Sequence, residues 1–331
     1  SETAETHLAL GSLFRRRGEV DRAIRLHQNL IERRHLGPEL RGFALFELGQ
    51  DYMSAGLLDR AETLFEELVG LGLHSQRALQ ALREIYQRER DWSRCLEVAA
   101  QLEVLTGQRL TIEIAHYHCE LAEEARRRQD PAGARAQLSR ARDIESDCVR
   151  ATMLEGFMAL EEGDVAGAAA LFKRVAERGA TYAPEILPAL IESMERLGED
   201  VIAQLETLAA GRAGPHLMLA LGERVERAHG SEAALDLLAD YLARWADLAV
   251  LERFLDLRAR ESSPDGRTHR YARVALGVAR HLLQRQSVYQ CEQCGFQARA
   301  LHWQCPSCRN WGTVVAVLPD PIQGEATRPP V

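Results

Sequence analysis

Aromatic residues make up only 6% of this 331-residue chain, and the 46% hydrophobic content rests largely on Ala and Leu, with Glu and Arg the dominant charges. That is a helical composition with ample core material, long enough for two or three domains. Basic excess is also missing, since the formal net charge is -8 and the pI is near 5.8. A general nucleic-acid binder would carry a basic stripe, so no nucleic acid is expected as a partner. The runs Arg15-Arg16-Arg17 and Arg126-Arg127-Arg128 read as solvated helix faces.

No stretch of roughly eighteen consecutive apolar residues occurs, and the start has no signal-peptide pattern. The chain opens on Ser1 without a methionine. We therefore expect an expressed fragment or a processed protein, with a further segment such as a membrane anchor ahead of Ser1. Enzyme signatures are lacking too: there is no P-loop, Gly-x-Ser-x-Gly, His-Glu-x-x-His or Gly-rich phosphate loop. Carboxylates are abundant, but they fall on amphipathic helix faces, so the expectation is a non-enzymatic interaction protein.

Cysteine is scarce, and its placement is informative. Of seven, four lie near the C-terminus, in Tyr289-Gln290-Cys291-Glu292-Gln293-Cys294-Gly295-Phe296 and in Trp303-Gln304-Cys305-Pro306-Ser307-Cys308. A C-x2-C pair forms a knuckle whose sulfurs point the same way, and two knuckles ten residues apart supply four thiolates to one tetrahedral ion. Disulfides within each knuckle would be strained, and an odd cysteine count does not suit a secreted framework. Cys291, Cys294, Cys305 and Cys308 are therefore the expected metal ligands, for zinc first and iron second, because thiolates accept both. Four protein ligands leave no open position for substrate, which argues against hydrolysis at the metal. His302 reads as a surface residue beside Trp303. Cys95, Cys119 and Cys148 sit singly in apolar helical patterns and read as small buried hydrophobes. Reduced cysteines of both kinds point to a cytosolic environment.

The first 286 residues repeat one phrase: an apolar helix with a small residue at its middle, a turn, and a second helix opening on another small residue. Clear copies are Gly11, Phe14, Gly18 and Ala23; Gly49, Tyr52, Gly56, Ala61 and Phe65; and Gly156, Gly163, Ala168 and Phe172. A looser copy has Gly222, Ala234 and Leu238, and weaker ones lie around Leu82 and Cys95, around Ala122 and Ala134, and around Ile191, Gly198 and Ala203. Markers at 11, 49, 83, 122, 156, 191 and 222 are separated by 38, 34, 39, 34, 35 and 31 residues, close to the tetratricopeptide period of about 34. An ordinary helical bundle would share the composition but not the spacing. The small residues let paired helices approach, and Tyr52, Phe65 and Phe172 are expected to fill the space between adjacent repeats. Turns such as Gly18-Glu19-Val20-Asp21, Gly56-Leu57-Leu58-Asp59 and Gly163-Asp164 pair a left-handed Gly with a capping acid.

The expected fold is all-α: a tetratricopeptide-repeat superhelical solenoid over 1–286, a small rubredoxin-like four-cysteine metal-binding domain over 287–318, and a disordered Pro-containing tail over 319–331. Further helices are expected over 247–258 and 268–286, joined by a loop at 261–266. A concave stripe would hold Ser12, Arg15, Phe46, Gln50, Met53, His116, Glu123, Arg126, Met153 and Phe157. His116 and His118 point to different helix faces and do not share a metal.

Repeats followed by such knuckles, with Tyr289 to Phe296 and His302-Trp303-Gln304-Cys305-Pro306-Ser307-Cys308-Arg309-Asn310-Trp311-Gly312-Thr313 as the most specific part, resemble the cytoplasmic part of the lipopolysaccharide assembly protein B (LapB) family. Leu10 to Arg25, Gly49 to Leu57 and Ile114 to Ala122 resemble it as well. The resemblance implies an inner-membrane helix ahead of this segment, a cytoplasmic face in a Gram-negative bacterium, and an adaptor that brings the LpxC deacetylase to the FtsH protease, opposed by a YejM-type membrane regulator. A homo-oligomer is compatible with it. It also carries the metal role onto Cys291, Cys294, Cys305 and Cys308. Electron-transfer rubredoxins space their knuckles more widely, which leaves a rubredoxin-type electron carrier, or a general interaction scaffold, as the alternative.

Overall fold

A computed structural model describes residues 2–33, 36–178, 180–212, 214–261 and 266–322. Among them are sixteen α-helices and, at the C-terminal end, three short strands. The chain divides into two compact units, Ser1–Glu145 and Ser146–Val331.

The first unit is a run of four helical hairpins: α1 Glu2–Arg16 with α2 Val20–Ile31, α3 Pro38–Ser54 with α4 Leu58–Gly70, α5 Ser75–Glu89 with α6 Trp92–Thr106, and α7 Thr111–Arg127 with α8 Pro131–Ile144. Each hairpin packs on the next through its second helix, the tetratricopeptide arrangement. The second unit continues with α9 Val149–Glu161 and α10 Val165–Glu177, a 3-10 turn at Ala180–Tyr182, α11 Ala183–Leu197 and α12 Val201–Arg212. It then adds α13 Pro215–His229, α14 Ser231–Leu242, α15 Leu248–Glu261 and α16 Arg267–Leu283.

Close approach within a hairpin depends on the glycine markers. A Cβ on Gly49 would lie 2.7 Å from the Phe65 ring, and one on Gly156 would lie 2.6 Å from Phe172. Both phenylalanines are fully buried, and they meet Phe46 and Phe157 at ring-centroid distances of 5.5 and 5.0 Å. They therefore fill the space inside their own hairpin, and Phe172 shares one buried cluster with Ile186 and Leu190 of the next repeat. Tyr52 does connect neighbours, because its hydroxyl accepts from Gln28 Nε2 of the preceding hairpin at 2.9 Å. Ala203, the small marker of the sixth copy, is exposed, and Leu205 is buried in its place.

Turn geometry explains why some copies look weak in sequence. Gly18, Gly56, Gly163 and Gly198 adopt positive φ between paired helices, and at the equivalent places Arg90 and Gln129 do so with φ of 60°. A side chain there costs on the order of 1 kcal/mol relative to glycine, so the fold keeps the turn where the sequence has lost its marker. Capping matches expectation at Gly163-Asp164 and differs at the other two turns. Asp91, Asp130 and Asp164, each directly after a left-handed residue, are N-caps that accept from backbone amides at 3.1, 2.8 and 2.9 Å. Asp21 and Asp59 fall inside the first turn, where they face the positive helix end without capping it.

Burial lowers the pKa of two histidines. Desolvation lowers the pKa of His118 against the opposing hydrogen bond from its Nδ1 to Gln137 Oε1 at 2.7 Å, and it lowers that of His216 against the pull of Asp247 and Glu185. The unfolded state therefore binds more protons below the ordinary histidine value of 6.5. Stability should be fully present above that value and fall as the pH drops through it. Thermal melts from about pH 7.5 to about pH 5.5 should show a declining midpoint, with a shallower slope in a His118→Gln, His216→Gln variant; an unchanged slope would refute the assignment.

Candidate metal centre

Strand β1, Tyr289–Cys291, lies between β2, Gln297–Ala298, and β3, Val314–Ala316, with both pairings antiparallel. Each knuckle closes on a backbone bond from the residue after its second cysteine to the carbonyl of its first: Gly295 to Cys291 at 2.9 Å and Arg309 to Cys305 at 2.8 Å. Both donors have positive φ, 75° at Gly295 and 60° at Arg309. The two knuckles thus share one backbone solution, although only the first has the glycine that announces it.

The knuckles bring their sulfurs together. All four lie within 4.8 Å of one another, and Cys291 to Cys308 and Cys294 to Cys305 are each separated by 3.7 Å. A regular tetrahedron with metal–sulfur bonds of about 2.3 Å has edges of about 3.8 Å, so the donors fit one tetrahedral ion. Among the described residues no other group of three or more His, Cys, Asp or Glu side chains converges in this way.

Ionisation within the cluster points the same way. Burial opposes ionisation of Cys291, but the Thr313 hydroxyl at 3.3 Å and the amides of Cys294 and Gln293 hold it down to about 6. The Phe296 amide likewise lowers Cys294. At Cys308 the Asn310 amide lowers the pKa, yet burial and the sulfurs of Cys305, Cys294 and Cys291 push it up to about 12. Sulfurs this close cannot all ionise unless a cation sits among them. An ion bound by all four thiolates would have no open position for substrate or water.

The remaining expectations resolve from the packing. Cys95, Cys119 and Cys148 are buried thiols, and desolvation pushes Cys95 up to about 12, so it is inert. His302 stays outside the sulfur cluster and meets Phe296 edge-on at 6.2 Å. Arg15, read as part of a solvated run and then of a concave stripe, instead joins Ser12, Glu47, Asp51 and His27 in a buried network. Its guanidinium lies 2.6 Å from each carboxylate, and His27 Nδ1 lies 2.5 Å from Asp51. Phe46, Met53, Met153 and His116 of that stripe are also buried.

Sequence reasoning missed how the module attaches to the repeats of its own unit. The Tyr289 hydroxyl donates to Glu185 on α11 at 2.6 Å, and Trp303 stacks on Tyr182 at 5.5 Å and 22° with the Arg150 guanidinium over its ring. Beyond β3, Asp320 accepts from Ala246 and Ile322 donates to Arg244. The chain is therefore paired up to Ile322, and the rest of the expected tail, 323–331, lies outside the described residues. Only the position of Trp303 beside a knuckle could have hinted at this docking.

Comparison with known proteins agrees with this geometry. Residues 289–316 match the rubredoxin metal binding domain, and residues 6–40 match the tetratricopeptide repeat. Lipopolysaccharide assembly protein B of Escherichia coli strain K12 is 34% identical over 324 residues, covering 97% of this chain and 82% of the relative. The Haemophilus influenzae protein of the same name is 32% identical over 318 residues, covering 95% and 79%. Likeness of this extent, running through the repeats and the four-cysteine module together, means that the chain belongs to the lipopolysaccharide assembly protein B family.

Proposed function

We propose that this chain is a non-enzymatic adaptor that restrains lipopolysaccharide synthesis by presenting the LpxC deacetylase to the membrane protease FtsH. The observation that carries this reading is the near-complete coverage by relatives named for lipopolysaccharide assembly, joined to a repeat fold of the kind that binds proteins and a metal centre with no open coordination position. In this reading the protein works on the cytoplasmic side of the bacterial inner membrane, held by a helix ahead of the present segment and opposed by a YejM-type regulator. The ion is zinc, and Cys291, Cys294, Cys305 and Cys308 hold it. Its part is architectural: it keeps Tyr289 and Trp303 seated on Glu185 and Tyr182, which fixes the shape of the α9–α11 repeats.

The test is co-purification and LpxC turnover with the full-length protein and its Cys308→Ser variant. The wild type should retain both protease and deacetylase, and the variant should let LpxC accumulate several-fold. Normal LpxC turnover by metal-free protein would end the architectural reading, and absence of both partners from the wild type would end the adaptor reading. Metal analysis of natively isolated protein should find zinc, whereas a reversible iron couple would favour the electron carrier.

A further inference from the structure

Helix α16 packs on α15 with one face and leaves the other bare. Ala272, Leu276 and Ala279 are buried, while Tyr271, Val274, Val278 and Leu282 are 66, 63, 56 and 50% exposed. Spacings of three and four place these four on a single helical stripe. The last helix of a repeat array ordinarily shows a polar outer face, and α16 does not.

The charge around that stripe has one sign. From Arg267 to Arg285 there are five arginines and two histidines and no acidic residue, in a chain whose net charge is -8. Arg280 is turned toward α15, where Glu252 and Asp256 hold it at 2.7 and 3.0 Å. Arg267 lies in line with the apolar stripe at its start, Arg270 lies on its flank, Arg285 follows the helix end, and Arg273 lies on the far side near Arg280. All four are exposed, and among the described residues none has a carboxylate within ion-pair distance. A symmetric contact between two copies of α16 would set these arginines against each other, which is costly. A surface bearing dense negative charge above an apolar layer complements both features, and that describes an anionic bilayer.

We propose that α16 is a membrane-surface helix: Tyr271, Val274, Val278 and Leu282 enter the headgroup boundary of an anionic bilayer while Arg267, Arg270 and Arg285 contact lipid phosphates. This interaction is separate from the adaptor reading and from any anchor preceding Ser1. It would hold the second unit against the bilayer, with α16 lying in the interface plane.

Flotation of the full chain with vesicles tests it. The chain should float with phosphatidylcholine vesicles containing phosphatidylglycerol, less so as salt rises, and stay unbound with phosphatidylcholine alone. Arg267→Gln and Arg270→Gln should each weaken binding roughly fivefold, and Val274→Asp with Val278→Asp should abolish it. These side chains are exposed, so helix content and bound metal should match the wild type and serve as the folding control. Failure to float with anionic vesicles at low salt would overturn the proposal, as would equal binding to neutral vesicles or wild-type binding by the substituted chains. A wild-type dimer that Val274→Asp with Val278→Asp disperses, without vesicle binding, would reassign the face to self-association.

Discussion

Serine at Cys294 removes both the metal and the fold of the C-terminal module. Three thiolates and a hydroxyl cannot replace four thiolates for a soft or borderline ion, and a module with five buried residues in its own cluster, two of them ligand cysteines, has little else to hold it. Thiolate binding of zinc contributes on the order of 10 kcal/mol to domains of this kind, far more than that small apolar cluster supplies. Metal content should fall from about one ion per chain to a trace. Trp303 should then leave its stack on Tyr182, shifting its fluorescence toward that of a solvated indole. A Cys294→Ser protein that kept its ion and its native Trp303 emission would show that the sulfurs are dispensable.

Alanine at Phe172 should cost about 3–5 kcal/mol, the range for emptying a fully buried phenylalanine site, and urea unfolding of the second unit would report it. On the Gly156 side of the ring there is no side chain to move into the space. The compensating change lies across the pair. In the third repeat the order of sizes is reversed, with Arg83 at the marker position and the fully buried Ala99 sixteen residues on, the same offset that joins Gly49 to Phe65 and Gly156 to Phe172. A Gly156→Leu, Phe172→Ala chain should therefore regain part of the loss, although Gly156→Leu alone overpacks and destabilises. Strict additivity of the two single changes would show that the positions do not share one space.

How much was legible follows from what a sequence displays. The repeat pattern was readable because its physical requirement, a small residue facing a large one, leaves a composition signal at fixed spacing. The knuckles were readable for the same reason, since metal geometry restricts both residue type and separation. Weak copies were harder, because Arg90 and Gln129 adopt the turn without the residue that marks it. The Arg15, Asp51 and His27 network was missed because three ionisable residues on three helices carry no periodic signature, and an arginine run looks solvated until its partners are known. Docking of the module was hidden for a simpler reason: Tyr289 and Glu185 are 104 positions apart, and neither belongs to a motif that names the other.

That separation bears on the order in which the chain acquires its structure. Helical hairpins form from near neighbours and can fold as they emerge during synthesis, whereas the Tyr289 to Glu185 bond must wait for the 104 positions between them to be made. Ion capture is later still, because Cys308 is the last donor to be made. The module therefore closes only after the repeats that receive it are in place, and its seat on Glu185 and Tyr182 is a surface formed before it.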